Sequence, residues 1–159
     1  MKALLCKYRV LLPVAALLVG ATACDSNDDG KPDKEVFIDS WAVTAVSDAA
    51  GPADLAANFN SIVATFNADG SGSIAVDAVD DAGDTTVSLT YTLNETAKTI
   101  ALNISVPGVG TIPLNMGYSI SGDENTITFT IGRSSTVLIN TLFGTQLMGE
   151  VTMTITRVT

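Results

Sequence analysis

From Val36 onward, apolar and polar residues alternate with a period of two, in short runs separated by breaks rich in Gly, Asn and Asp. Within Thr86–Leu93 the apolar positions are Val87, Leu89, Tyr91 and Leu93; within Thr99–Val106 they are Ile100, Leu102, Ile104 and Val106. Thr126–Ile131 and Val151–Thr156 repeat the pattern. Successive side chains of a strand point to opposite faces, so each run predicts a strand with one buried and one wet face. β-Branched Thr fills the wet positions, which suits a pleated, solvated surface. Parallel strands are covered on both faces and would be apolar throughout, so these strands are expected to be antiparallel.

The predicted strands are Ser40–Ser47, Ser61–Asn67, Ser73–Val79, Thr85–Leu93, Thr99–Val106, Ile112–Ser121, Thr126–Gly132, Thr136–Leu142 and Gly149–Val158. Between them, Asn67–Gly70, Asp80–Asp84, Asn94–Ala97, Gly108–Gly110 and Ser121–Asn125 supply residues suited to tight reversals. One short helix is expected over Pro52–Asn58, opened by Gly51-Pro52. A meander of eight or nine strands either closes on itself or leaves two aggregation-prone edges. The expected fold class is therefore all-β, a single antiparallel up-and-down barrel of 8–9 strands over residues 36–159. The alternative is a β-sandwich, which would need long crossovers that the short loops do not provide. A membrane-spanning barrel would turn the Thr-rich faces toward lipid, which argues against it.

The N-terminus has a different character. Lys2, Lys7 and Arg9 precede the apolar stretch Val10–Ala23, which ends in small residues directly before Cys24. A basic start, a short apolar segment and a small-residue cut site make a secretory signal over residues 1–23. The stretch is short for a bilayer span, and acid rather than a basic stop-transfer run follows it. This arrangement resembles a bacterial lipobox, although Ala21 stands where Leu is usual. The resemblance implies lipidation of Cys24, which becomes the new N-terminus. Cys6 leaves with the leader, so Cys24 has no disulfide partner and acylation accounts for a lone exported thiol.

Cleavage leaves 136 of the 159 residues, enough for one compact domain. It also leaves five basic residues against 17 acidic ones, a formal charge of −12. Such a chain offers no electrostatic footprint for nucleic acid and is repelled by anionic lipid. Histidine is absent, which removes Ser-His-Asp and Cys-His chemistry and imidazole metal sites together. Neither a nucleophile elbow nor a phosphate-binding glycine loop occurs, so an enzyme is not expected. A hydrolase working with carboxylates alone is a distant third reading.

Residues 24–35 hold Asp25, Asp28, Asp29, Asp33 and Glu35 and read as a solvated acidic tether from Cys24. Acid directly after a lipidated cysteine is similar to the surface-export signals of Bacteroidota lipoproteins. The similarity implies anchoring at the outer membrane, with exposure at the cell surface as one of the placements it allows. The spacing of Asp25, Asn27, Asp29, Gly30 and Asp33 also resembles the oxygen-ligand loops of EF-hand-like and thrombospondin-type calcium repeats. Val36 occupies the position of the bidentate Glu, however, and there is a single copy, so the tether reading is preferred. Neither a cofactor nor a metal is expected.

Trp41, the sole tryptophan, opens the first strand, and Arg157 lies near the end of the last, in phase with the inward Val151, Met153 and Ile155. An inward Arg needs a partner, and an indole face is one. In a closed barrel the first and last strands are neighbours, which would bring the two residues together. The arrangement resembles lipocalins, in which an arginine of the last strand covers the tryptophan of a G-x-W motif; here Asp39 replaces the glycine. With Phe66-Asn67-Ala68-Asp69-Gly70 after the second strand, the chain more closely resembles lipocalin-like lipoproteins of Bacteroidota. That resemblance implies a barrel closed at the Trp41 end and open at the other. It also implies an apolar cavity for a small hydrophobic molecule, walled by Leu89, Tyr91, Leu102, Met116, Tyr118 and Phe129. The alternative is that the same residues fill a solid core and the protein is an interaction module, an assembly factor or an inhibitor of an envelope enzyme.

Two further stretches carry candidate chemistry. Leu142–Met148 is apolar without alternation and reads as a bulge tucked into the core, a loop at a cavity mouth, or a docking patch. Asp77, Asp80, Asp81 and Asp84 surround one hairpin and read as a solvated turn before a cation or acid–base site. Asn94-Glu95-Thr96 has the form of a glycosylation sequon, which means little in a bacterium.

Overall fold

The computed structural model describes residues 31–54, 57–79, 84–143 (backbone only for 141–143) and 145–159. The elements in chain order are α1 (Asp33–Phe37), β1 (Asp39–Asp48), β2 (Gly51–Pro52), β3 (Phe59–Phe66), β4 (Ser71–Ala78) and β5 (Thr85–Asn94). They continue with β6 (Thr99–Val106), β7 (Gly110–Ile120), β8 (Thr126–Ile131), α2 (Arg133–Phe143) and β9 (Val151–Arg157). Each strand from β3 to β8 pairs antiparallel with the next, β1 pairs with β3, and β1 also pairs with β9. Eight strands thus close into an antiparallel barrel, and the two-residue β2 is an extra strand on β1. Closure satisfies the edge groups that an open sheet would leave exposed. A bulge between Val43 and Ala45 lets β1 bend between its two partners.

The core follows from the alternation. Leu89 and Tyr91 of β5, Ile100, Leu102 and Ile104 of β6, and Leu114, Met116 and Tyr118 of β7 are all buried, while their neighbours in sequence face water. The β3–β4 reversal shows the local chemistry. Asn67 N donates to Ser71 O at 2.8 Å, the Asp69 carboxylate accepts from Ser71 N at 2.9 Å, and Gly70 adopts φ +85°. Next to it, a Cβ at Gly72 would lie 2.3 Å from Thr65 O and 2.9 Å from Leu89 Cδ1. Only glycine allows β4 to pass that close.

The barrel has two distinct ends. One carries the start of β1, the β3–β4, β5–β6 and β7–β8 reversals, and α1. The other, called the mouth below, carries the β1–β3, β4–β5 and β6–β7 connections and α2.

Three local assignments from the sequence are corrected. Thr136–Leu142, expected as a strand, lies within α2. A seven-residue run supports either period, and here Thr136, Ile139 and Asn140 turn inward at helical spacing while Val137 is 63 % exposed. Removing Thr136–Leu142 from the strands leaves eight in the barrel wall. The helix expected over Pro52–Asn58 is absent among the described residues: Gly51-Pro52 pairs with Ser47 and Asp48 as β2, and Gly51 takes φ +124°. The acidic tether was expected to reach Glu35, yet Asp33, Lys34 and Glu35 belong to α1. That helix is only five residues long and is held by burying Val36 and Phe37, which are 2 % and 0 % exposed.

Candidate functional site

The Trp41 end is plugged from within. Phe37 of α1 meets Phe66 and Tyr118 edge to face, at centroid distances of 5.5 and 5.1 Å, and Phe129 at 6.1 Å. Trp41 is fully buried, and its Nε1 donates to Phe37 O at 3.0 Å. Arg157 is the register partner of Trp41, with its guanidinium carbon 4.7 Å from the ring centroid. From there Nη2 donates to Glu124 O at 3.0 Å and Val36 O at 3.3 Å, and Nη1 bonds the Asp39 carboxylate. Asp39 also accepts from Ser40 N at 2.8 Å. That backbone bond, together with the bond to and charge of Arg157, outweighs desolvation and holds the Asp39 carboxyl below the usual carboxylate range. One arginine therefore joins the first strand, α1 and the β7–β8 turn.

Asp33 makes a second tie. Its Oδ2 accepts from Tyr118 Oη at 2.5 Å and pairs with Lys98 Nζ at 2.6 Å. Burial, with the hydrogen bond to and charge of Asp33, pushes the Tyr118 phenol far above its ordinary range, so it stays a neutral donor. Tyr91 Oη likewise donates to Asn67 O at 2.7 Å, fixing the β3–β4 turn.

The mouth half holds a partly open cavity of about 110 Å³. Val43, Val46, Ile62, Ile74, Ile104, Ile112, Ile131, Val151 and Met153 wall it from the strands, with Met116, Phe66 and Phe129 among the deeper residues. Leu138 and Ile139 of α2, with Leu147, line it as well. Among the described residues Thr145 is the only one of the lining with a polar side chain.

The segment between α2 and β9 is held by side chains. Asn140 Nδ2 donates to Leu147 O at 2.9 Å, while its Oδ1 accepts from Leu147 N at 2.9 Å and Thr145 Oγ1 at 2.8 Å. Thr136 Oγ1 donates to Gly149 O at 2.8 Å, and Asp48 Oδ2 accepts from Met148 N at 2.6 Å. These bonds, part-buried except for the exposed one between Asp48 and Met148, hold the described part of the segment across the mouth.

Of the six side chains expected to wall a cavity, Met116 and Phe129 do so. Leu89, Tyr91, Leu102 and Tyr118 are buried in the core but are not part of the cavity wall, and both tyrosines serve the plugged end. Alternation tells inward from outward and not one end of a barrel from the other. Position within a hairpin does not separate the two sets either, since Ile104, which lines the cavity, is the register partner of Leu89, which does not. The contribution of α2 has no signal in the sequence, because a run as short as Thr136–Leu142 supports either period.

Cys24, Asp25, Asn27 and Asp29 lie outside the described residues, as do Asp80 and Asp81. Asp77 accepts from Asn60 Nδ2 at 2.8 Å, and Asp84 accepts from Ala78 N at 2.9 Å. Asn94 Oδ1 accepts from Ala97 N at 3.0 Å, which makes it a turn residue. Among the described residues no group of three or more Asp, Glu or Cys side chains is placed to hold a metal ion. No family model matches the chain, and no curated protein matches its sequence.

Proposed function

We propose that this chain is a lipid-anchored cell-envelope protein, lipocalin-like in kind, whose barrel binds a small hydrophobic molecule. The observation that carries this reading is the cavity of about 110 Å³ at the mouth, whose lining among the described residues has Thr145 as its one polar side chain. An apolar cavity of roughly 150 Å³ stays dry and accepts benzene or xenon. Pockets that enclose drug-sized ligands run to roughly 300–1,000 Å³. The barrel therefore suits a few carbons of a ligand rather than a whole large molecule. The signal pattern of residues 1–23 and the lone Cys24 support export and acylation, and the acidic stretch after Cys24 supports placement at the outer membrane.

One observation favours the interaction-module reading. Val79, Val109, Val137 and Met148 are 55 %, 71 %, 63 % and 65 % exposed, and all four lie on connections at the mouth. An apolar rim at one end of a barrel suits a protein partner.

Two experiments test the proposal. Cys24→Ser is expected to move the protein from the membrane fraction to the soluble fraction; continued need for detergent would sink the anchor. Protein purified from its own host and extracted with organic solvent is expected to yield a stoichiometric apolar compound by mass spectrometry. An empty extract would overturn the carrier reading in favour of a partner at the rim.

A further inference from the structure

Outside the cavity lies a groove of about 440 Å³ between the β1–β2 corner and the segment leading into β9. Phe59, Thr145 and Leu147 wall both spaces, and all three are half-buried. They form the partition between hydrocarbon on one side and a wet surface on the other. The groove differs from the cavity in chemistry. Asp48, Asp54, Asn58 and Gln146 line it, and no Lys or Arg does among the described residues. Asp48 is fixed in place, with Oδ1 accepting from Ala50 N at 2.7 Å and Oδ2 from Met148 N at 2.6 Å. Those backbone bonds hold its carboxyl below the usual range, so it remains a charge at neutral pH. Asp54 adds a second, exposed carboxylate.

We propose that the cavity and this groove are two halves of one site for a cationic amphiphile. The short hydrocarbon portion occupies the cavity, and an ammonium-type head rests in the groove beside Asp48 and Asp54. This rests on the reading of the barrel as a small-molecule binder and adds the charge of the ligand. The cavity alone cannot choose among apolar ligands. The groove can, because a carboxylate or phosphate head there would face two negative charges with no cation in the wall, whereas an ammonium head would be attracted by both.

The test is calorimetric titration of the purified protein with octylammonium, octan-1-ol and octanoate, each below its micellar concentration. Octylammonium is expected to bind at least about tenfold tighter than octanoate, with octanol between them. Asp54→Asn is expected to narrow that gap about threefold and leave octanol unchanged. Ile139→Trp, and separately Leu138→Phe, should weaken all three by filling the cavity, with melting curves confirming that each variant is folded. Octanoate binding as tightly as octylammonium would overturn the charge assignment while the cavity reading stands. Failure of all three to bind would overturn both. Octylammonium binding undiminished by the two filling variants would show adhesion to an acidic surface and overturn the two-part site.

Discussion

Trp41→Ala lowers the stability of the barrel by about 3–5 kcal/mol, the range for truncating a buried aromatic. For a domain of this size that corresponds to a fall of about 10–20 °C in Tm. The side chain is fully buried, so truncation opens a void that the rigid barrel wall closes poorly. It also removes the donor to Phe37 O and the ring beneath Arg157, leaving a guanidinium with 23 % of its side chain exposed over a hole. Trp41→Phe, which refills most of the volume, should recover more than half of the loss. The measurement is thermal unfolding followed by circular dichroism, and a Tm within about 2 °C of the parent would remove Trp41 from the role of plug.

Phe37→Ala is the second large effect, again about 3–5 kcal/mol. Phe37 is 0 % exposed and packs against Phe66, Tyr118 and Phe129. Its loss has a signature that general destabilisation lacks. A five-residue helix has no stability of its own, so α1 depends on this anchor, and Trp41 Nε1 bonds the carbonyl of the same residue. Because Trp41 is the sole tryptophan, its emission reports the plug without ambiguity. The expected result is a red shift in the folded state, at temperatures where circular dichroism still shows the full strand signal. Unchanged emission with an unchanged Tm would mean that α1 does not hold the end closed.

The two residues were unequally visible from the sequence. Trp41 stood out because it is unique and opens the first run of alternating residues. Its meeting with Arg157 required only closure, which makes the first and last strands neighbours. Phe37 carried no such mark. It sits beside an acidic stretch with no repeat of either period, and five residues are too few for a helical pattern to declare itself. The Asp33 contacts to Tyr118 and Lys98 span 85 and 65 residues in sequence, so nothing local announces that the acidic stretch ends in the barrel.

At the mouth the difficulty was of another kind. Leu89 and Tyr91 belong to the same inward face as Ile104 and Ile112, and alternation assigns them identically. Which of them meets empty space depends on the height of each residue along the barrel axis. The position of α2 matters as well, held as it is through Asn140 and Thr136. Asp48 was one acid among 17 until the fold brought Met148 N onto its carboxylate across 100 residues.

By itself, then, the sequence determined the eight strands of the barrel wall and their antiparallel order, and it favoured closure over a sandwich. These follow from a period of two, short turns and the cost of open edges, all written in neighbouring residues. Only the tertiary structure decided that α1 plugs one end, that α2 covers the other, and that a small apolar cavity adjoins an acidic groove. Volume and proximity are properties of residues far apart in the chain. They exist once the wall has closed and every side chain has found its height within it.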